Sequence, residues 1–132
     1  MIVSDLDGNT KQFHLTGHIC YGILNKSSYH LLARELISDL YPTMQILEEV
    51  PIEIRKSQNL YLDFYIPLIK TAIEVHGEQH YKFISYYHKT PLNFMRHKKR
   101  DKDKKIWCEI NGIKHIEFPF NESCEQWKKR TQ

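Results

Sequence analysis

Residues 59–81 read NLYLDFYIPLIKTAIEVHGEQHY, and their alternation decides the fold. Strand side chains point to opposite faces in turn. In YLDFYI, Leu62, Phe64 and Ile66 are expected on one face, with Tyr61, Asp63 and Tyr65 on the other. In AIEVH, Ile73 and Val75 share one face, and Ala72, Glu74 and His76 the other. The short link PLIK makes an antiparallel hairpin the natural connection. Closing it with Pro67 opposite Lys70 sets Asp63 opposite Glu74, with Cβ atoms roughly 4.5–5.5 Å apart on one side of the sheet. Slipping by one residue would send an acid into the apolar layer, so the pattern resists that error.

Two opposed carboxylates repel and destabilise a sheet. Either one acid stays protonated, or a cation holds both. A hard divalent ion such as Mg²⁺ takes carboxylate and water oxygens and would remove the repulsion. His76, two residues beyond Glu74, would stand beside that ion, where an imidazole can orient or deprotonate a water. The polar run Gly77-Glu78-Gln79-His80 extends the patch past the strand end.

Outward from this hairpin, the other elements follow their own signals. MIVSDLDGNTKQFHL (1–15) reads as an N-terminal hairpin turning at Asp7-Gly8-Asn9. Residues 16–26 look irregular, broken by Gly17 and Gly22. Ser27 or Ser28 caps a helix that stops before Pro42, with Leu32, Leu36 and Leu40 recurring and Ala33 and Ile37 widening the stripe. TMQILEEVPIEI is expected to be extended, RKSQN a polar turn and HKTP a loop. Residues 93–110 predict a second helix ending at Asn111-Gly112. IKHIEFPF predicts a third strand, and 121–132 a short polar helix or tail. Helix, hairpin, helix, strand describes an α/β sandwich: a central mixed β-sheet flanked by helices.

At 132 residues one domain is expected, long enough to fold without a disulfide or metal staple. Three widely spaced cysteines, Cys20, Cys108 and Cys124, argue for reduced thiols and against a zinc ribbon. No apolar run approaches the ~18 residues of a membrane span, and Asp5 and Asp7 interrupt any leader-like start, so an intracellular, cytoplasmic chain is expected. The net charge is only +3, but cations concentrate in RHKKRDKDKK (96–105). Such a cluster fits phosphate contacts. On a helix, Asp101 shares a line with Phe94 and Cys108, each seven residues away, and so is expected to face inward.

An Asp followed about ten residues later by Glu-x-Lys at a strand hairpin resembles the signature of PD-(D/E)xK, or restriction-endonuclease-like, nucleases. Here it reads Leu62-Asp63, then Glu74-Val75-His76. Leu62 stands where proline is frequent, and His76 where lysine is usual. Over about 28–120, LYLDFYIP, IEVHGEQHY and KKRDKDKKIWCEINGIKHIEFPF resemble a narrower group: phage-encoded homing endonucleases related to very-short-patch repair nucleases. The resemblance implies a nuclease core over about 28–120 and a metal-dependent endonuclease acting on duplex DNA with Mg²⁺ or Mn²⁺. Asp63 would be the main metal ligand, and Glu74 or the Val75 carbonyl the second. His76 or His80 would serve as general base or phosphate contact, with Asp101 as the late acid. Glu35, in LLARELI, is the candidate first-helix acid, although in the family that acid lies nearer the helix start, where His30 stands here. Gln79, Arg96, Lys98, Lys99, Arg100 and Lys102 would contact DNA, with Tyr86, Tyr87 and Phe94 near the site to stack or wedge. Cutting both strands with so small a chain calls for two sites, so a homodimer is expected. The N-terminal hairpin would extend DNA contact or build the dimer. A repair, recombination or restriction nuclease, or a catalytically degenerate DNA-binding protein, is the alternative.

Overall fold

The computed structural model describes residues 1–13, 15, 18–19 and 28–132. The decisive hairpin has the expected register. Strands β5 (Gln58–Ile66) and β6 (Thr71–His76) pair antiparallel through Phe64↔Ile73, Tyr65↔Ala72 and Ile66↔Thr71. The link between them is a single 3₁₀ turn, closed by Lys70 N–H donating to the Pro67 carbonyl at 3.2 Å. Continuing that register puts Asp63 level with Glu74.

The hairpin lies inside a five-stranded mixed sheet. β4 (Leu47–Arg55) pairs antiparallel with β5, and the two-residue β3 (His18–Ile19) edges β4. β3 falls in the stretch expected to be irregular; Gly17, Cys20, Gly22 and Ser27 lie outside the described residues. On the far side, β7 (Lys114–Pro119) runs parallel to β6. The crossover between them contains the short α2 (Ser85–His88) and the long α3 (Pro91–Ile110). α2 ends at His88, the first residue of the HKTP stretch expected to be a loop. Thr90 caps α3 by accepting from Asn93 N–H, which starts that helix two residues earlier than expected.

Helices cover both faces, so the chain is an α/β sandwich. On one face α1 (Ser28–Leu40) and α4 (Cys124–Arg130) cover Phe64, Ile66, Ile73, Val75, Ile116 and Phe118. Ala33 and Ile37, with His30, form the buried centre of α1, while Leu32 is exposed, so the stripe is rotated from the expected leucine row. The polar-looking tail is anchored by Trp127. Its ring stacks on Phe118 at 4.8 Å, and its Nε1–H donates to the Pro119 carbonyl. On the other face lie α3, through Trp107 and Cys108, and the N-terminal hairpin of β1 (Ile2–Ser4) and β2 (Thr10–Gln12), through Val3 and Phe13. Cys108 and Cys124 are free.

Strict alternation fails in the middle of the β4–β5 pair. Leu62 packs with Tyr65 on the α3 face, not with Phe64 and Ile66 as expected. On β4, Leu47 and Val50 likewise share a cluster although three apart. Glu49, between them, has φ 53°, and the β4–β5 pairing skips the Glu49/Asp63 position. The register is the same on either side of it, so both strands turn over together there and the following residues take the opposite faces. The interruption also frees Asp63 from the sheet ladder.

Candidate active site

At that interruption the Asp63 carboxylate stands in for a missing ladder partner. Its Oδ2 accepts the Val75 N–H at 2.9 Å, and the Asp63 N–H faces Glu74 Oε2 at 3.4 Å. Each acid is thus tied to the other's strand. Glu74 is 1% exposed, and its Oε1 makes no hydrogen bond. Burial first, and the charge of Asp63 second, push the Glu74 carboxyl well above the usual carboxylate range.

The relief comes from α3. Lys104 Nζ lies 3.6 Å from Glu74 Oε1. Burial alone would lower the Lys104 ammonium, but Glu74, Asp63 and Asp101 outweigh it and hold it above its ordinary value. The resemblance to PD-(D/E)xK nucleases calls for a lysine two residues after the Glu, where this chain has His76. The structure brings a lysine to the same carboxylate pair from a different element. Sequence reading missed Lys104, although a signal was present. Phe94, His97, Asp101, Lys104 and Cys108 recur at spacings of three and four, one continuous helical stripe. All five are half-buried or buried.

A second group adjoins the first. The His76 ring is buried and stacks on the His80 ring, centroids 4.2 Å apart and 5° from parallel. His80 Nδ1 lies 2.8 Å from Asp101 Oδ2, so Asp101 faces inward as its helical position predicts. Burial alone would raise the Asp101 carboxyl; the His80 hydrogen bond and nearby cationic charge outweigh it and hold it low. His76 Nδ1 lies 2.9 Å from Glu117 Oε1. Glu117 sits on β7 in register with Glu74 and also accepts from the Tyr81 hydroxyl. Its carboxyl is pushed down to about 2, chiefly by the His76 hydrogen bond. Both carboxylates are therefore ionised acceptors at neutral pH. In its neutral form each imidazole then carries its proton on Nδ1 and its lone pair on Nε2. Sequence reading missed Glu117 as well; the parallel placement of β7 beside β6 is what aligns it.

These groups line or border a cleft of about 680 Å³ whose walls include Asp63, His80, Tyr87, His97, Arg100, Asp101 and Lys104. Arg96, Lys98, Lys99, Arg100 and Lys102 are exposed along α3, Lys98 lying over the Phe94 ring at 5.5 Å. Gln79 is half-buried on the 3₁₀ turn Glu78–His80, its amide packed against Gly77. Tyr86 is 94% exposed, whereas Phe94 is half-buried against Phe83 and His88.

Glu35 is not brought to this site. It is exposed on α1, off the buried His30–Ala33–Ile37 stripe, and α1 packs on the opposite face of the sheet from Lys104. A different acid is buried beneath that helix. Glu48 meets His30 Nε2 at 2.5 Å and accepts from Arg34 Nε at 3.0 Å. The His30 ring also stacks on Phe64 at 4.5 Å. This trio lies across the sheet from the cleft and fastens α1 to β4.

Three viral proteins are similar to part of this chain. Over 62 residues it is 40% identical to uncharacterized protein 307L of Invertebrate iridescent virus 6, a match covering 47% of this chain and 32% of that one. It is 44% identical to uncharacterized protein 094L of Frog virus 3, covering 46% and 40%. It is 36% identical to uncharacterized protein 033L of Invertebrate iridescent virus 3, covering 47% and 32%. The match thus spans two fifths or less of each relative's length. No family model and no solved structure matches the chain. Among the described residues, no helix is long and apolar enough to cross a membrane.

Proposed function

We propose that the chain is a metal-dependent endonuclease that hydrolyses phosphodiester bonds in duplex DNA. The observation carrying this reading is the convergence of Asp63, Glu74 and Lys104, from two strands and a helix, beside a cleft that Asp63 and Lys104 line and exposed cations of α3 flank. A buried carboxylate with an oxygen that makes no hydrogen bond, held beside a second carboxylate, is costly for folding. A bound cation and a phosphate would make the arrangement favourable.

The donor set fits a hard ion. Asp63, Glu74 and the Val75 carbonyl offer oxygen alone, which suits Mg²⁺ or Mn²⁺. Such an ion would polarise the phosphoryl oxygen and acidify a water. The remaining work falls to this chain's own side chains. Lys104, half-buried in the cleft wall, donates to negative charge developing on the phosphate. His80, more exposed than His76 and lining the cleft, takes the proton of the attacking water on Nε2. Asp101 holds His80 in the tautomer that leaves Nε2 free, and Glu117 does the same for His76. The α3 cations hold flanking phosphates without reading sequence. Two copies would cut both strands, as in the homodimer expected above.

Plasmid carrying DNA from the protein's own source should be nicked or linearised with Mg²⁺ and left intact with EDTA. An intact plasmid, together with salt-dependent retention of the same DNA, would favour a DNA-binding protein without hydrolysis. Binding itself should weaken steeply with salt. Replacing Lys98, Lys99 and Lys102 together by alanine should reduce the slope of log K against log salt by roughly 2–3. An unchanged slope would place the DNA elsewhere. Homing, repair and restriction roles share this chemistry and differ in site length and substrate. The viral relatives leave that choice to the substrate experiment.

A further inference from the structure

The cleft contains nitrogen donors as well as oxygen donors, and the two groups have opposite metal preferences. A ring nitrogen of His76, one of His80 and a carboxylate oxygen of Asp101 all lie within 4.8 Å of one another. Asp63 and Glu74 form an oxygen-only pair. Imidazole suits Zn²⁺ and its neighbours in the transition series, whereas carboxylate and water suit Mg²⁺. We propose that His76, His80 and Asp101 form a second metal site, selective for borderline divalent ions such as Zn²⁺ and Co²⁺. This inference concerns binding alone and stands whether or not the chain cuts DNA.

Three features support it. First, Glu117 stands behind His76, on Nδ1, leaving Nε2 as the ligand atom. A carboxylate bonded to the far nitrogen of a histidine is the usual support of a zinc ligand and raises its basicity. Second, three protein ligands leave at least one position open, the pattern of zinc sites that keep a water. Third, closing the site requires little movement of the fold. Donors around one zinc ion stand roughly 3.3 Å apart, given Zn–N distances of about 2.0–2.1 Å. His76 is buried and held, but His80 and Asp101 keep side-chain exposures of 25% and 20% and can turn toward it. His80 rides on the 3₁₀ turn Glu78–His80, not on the sheet. His80 Nδ1 and Asp101 Oδ2, already 2.8 Å apart with a proton between them, would then hold the ion in that proton's place. The proton moves to Nε2, so the ring stays neutral, and the ion's two positive charges face the carboxylate of Asp101 and, behind His76, that of Glu117.

The test is titration of the metal-free protein, without DNA, with Co²⁺ followed by its visible absorption, and with Zn²⁺ followed by calorimetry. One ion per chain should bind, with an intense tetrahedral-type cobalt spectrum. A tenfold excess of Mg²⁺ should not displace it. Glu117→Gln keeps an acceptor but removes the charge behind His76, and should weaken binding about 10- to 100-fold. His80→Asn should abolish the cobalt spectrum; because His80 is partly exposed, this variant should keep its thermal unfolding midpoint. Four results would overturn the proposal: no cobalt spectrum in the unaltered protein, a sulfur-to-cobalt charge-transfer band revealing cysteine ligands, Mg²⁺ displacing Co²⁺ on equal terms, or unchanged affinity in both variants. If the chain cleaves DNA, Zn²⁺ should also inhibit the Mg²⁺-supported reaction, because the bound ion occupies His80. Zinc binding without cleavage would sink only the hydrolytic reading, and cleavage without zinc binding would sink only this one.

Discussion

Asp63→Asn should abolish cleavage while leaving the fold intact. The asparagine oxygen keeps the acceptor that Asp63 Oδ2 offers to Val75 N–H, so the junction of β5 and β6 is preserved. What disappears is the negative charge. Losing it removes the more accessible of the two carboxylates that would hold the metal, and the single-turnover rate should fall on the order of 10³-fold. Loss of the charge also relieves Glu74, whose carboxyl Asp63 helps push upward. The variant should therefore unfold no more easily than the unaltered chain. Matched single-turnover rates and urea unfolding curves check both halves. A variant that cuts at the unaltered rate would remove Asp63 from the chemistry. One that fails to fold would make its charge structural.

Asp63 and Glu74 were legible in the sequence because local rules determine them. A four-residue link, a strand alternation and a penalty for slipping together fix the hairpin register, and Phe64↔Ile73 shows the same register in the structure. Asp101 was legible through helical spacing from Phe94 and Cys108. The turnover of both strands at Glu49 and Asp63 was not, because no glycine marks it and the positive φ of Glu49 depends on the pairing of β4 with β5. That missed turnover is why Leu62 was assigned to the wrong face. Glu35 was misplaced for a different reason. Family position says where an acid is wanted, whereas burial of Ala33 and Ile37 says which way the helix turns, and burial is the stronger constraint. Lys104 and Glu117 depend on the crossover. Only once α3 lies over the sheet, and β7 parallel to β6, does either residue meet Glu74 or His76. In KKRDKDKK, Lys104 has the same chemistry as its neighbours, and its depth alone sets it apart.

That depth makes Lys104→Ala the most informative substitution for stability, because its cost should depend on pH. Lys104 is raised above its ordinary value. A lysine of that kind contributes stability fully below its unfolded pKa and loses it only as pH climbs through the folded one. From pH 5 to 8 Lys104 itself therefore stays protonated, and any pH dependence of its contribution comes from its partner. Glu74 varies over that window. Its folded carboxyl is raised well above 4.5, so above pH 4.5 the folded state binds a proton that the unfolded state has released, and stability falls as pH rises. Removing Lys104 takes away the cation that opposes this shift, and the fall becomes steeper and longer. Breaking a buried ion pair by deleting one partner costs about 3–5 kcal/mol when the other charge is stranded. Lys104→Ala should therefore cost more near pH 8 than near pH 5, because a larger share of Glu74 is ionised at the higher pH. Adding Glu74→Gln should cancel most of the pH dependence, since no carboxyl then remains at that position to titrate. Cleavage should drop in both the single and the double variant, because the cation facing the phosphate is absent from each. Urea unfolding at the two pH values, in a double-mutant cycle, measures the coupling directly. An equal loss at pH 5 and pH 8 would mean that Lys104 packs beside Glu74 without sharing its charge, and the carboxylate pair would then lack the partner that makes it tolerable without metal.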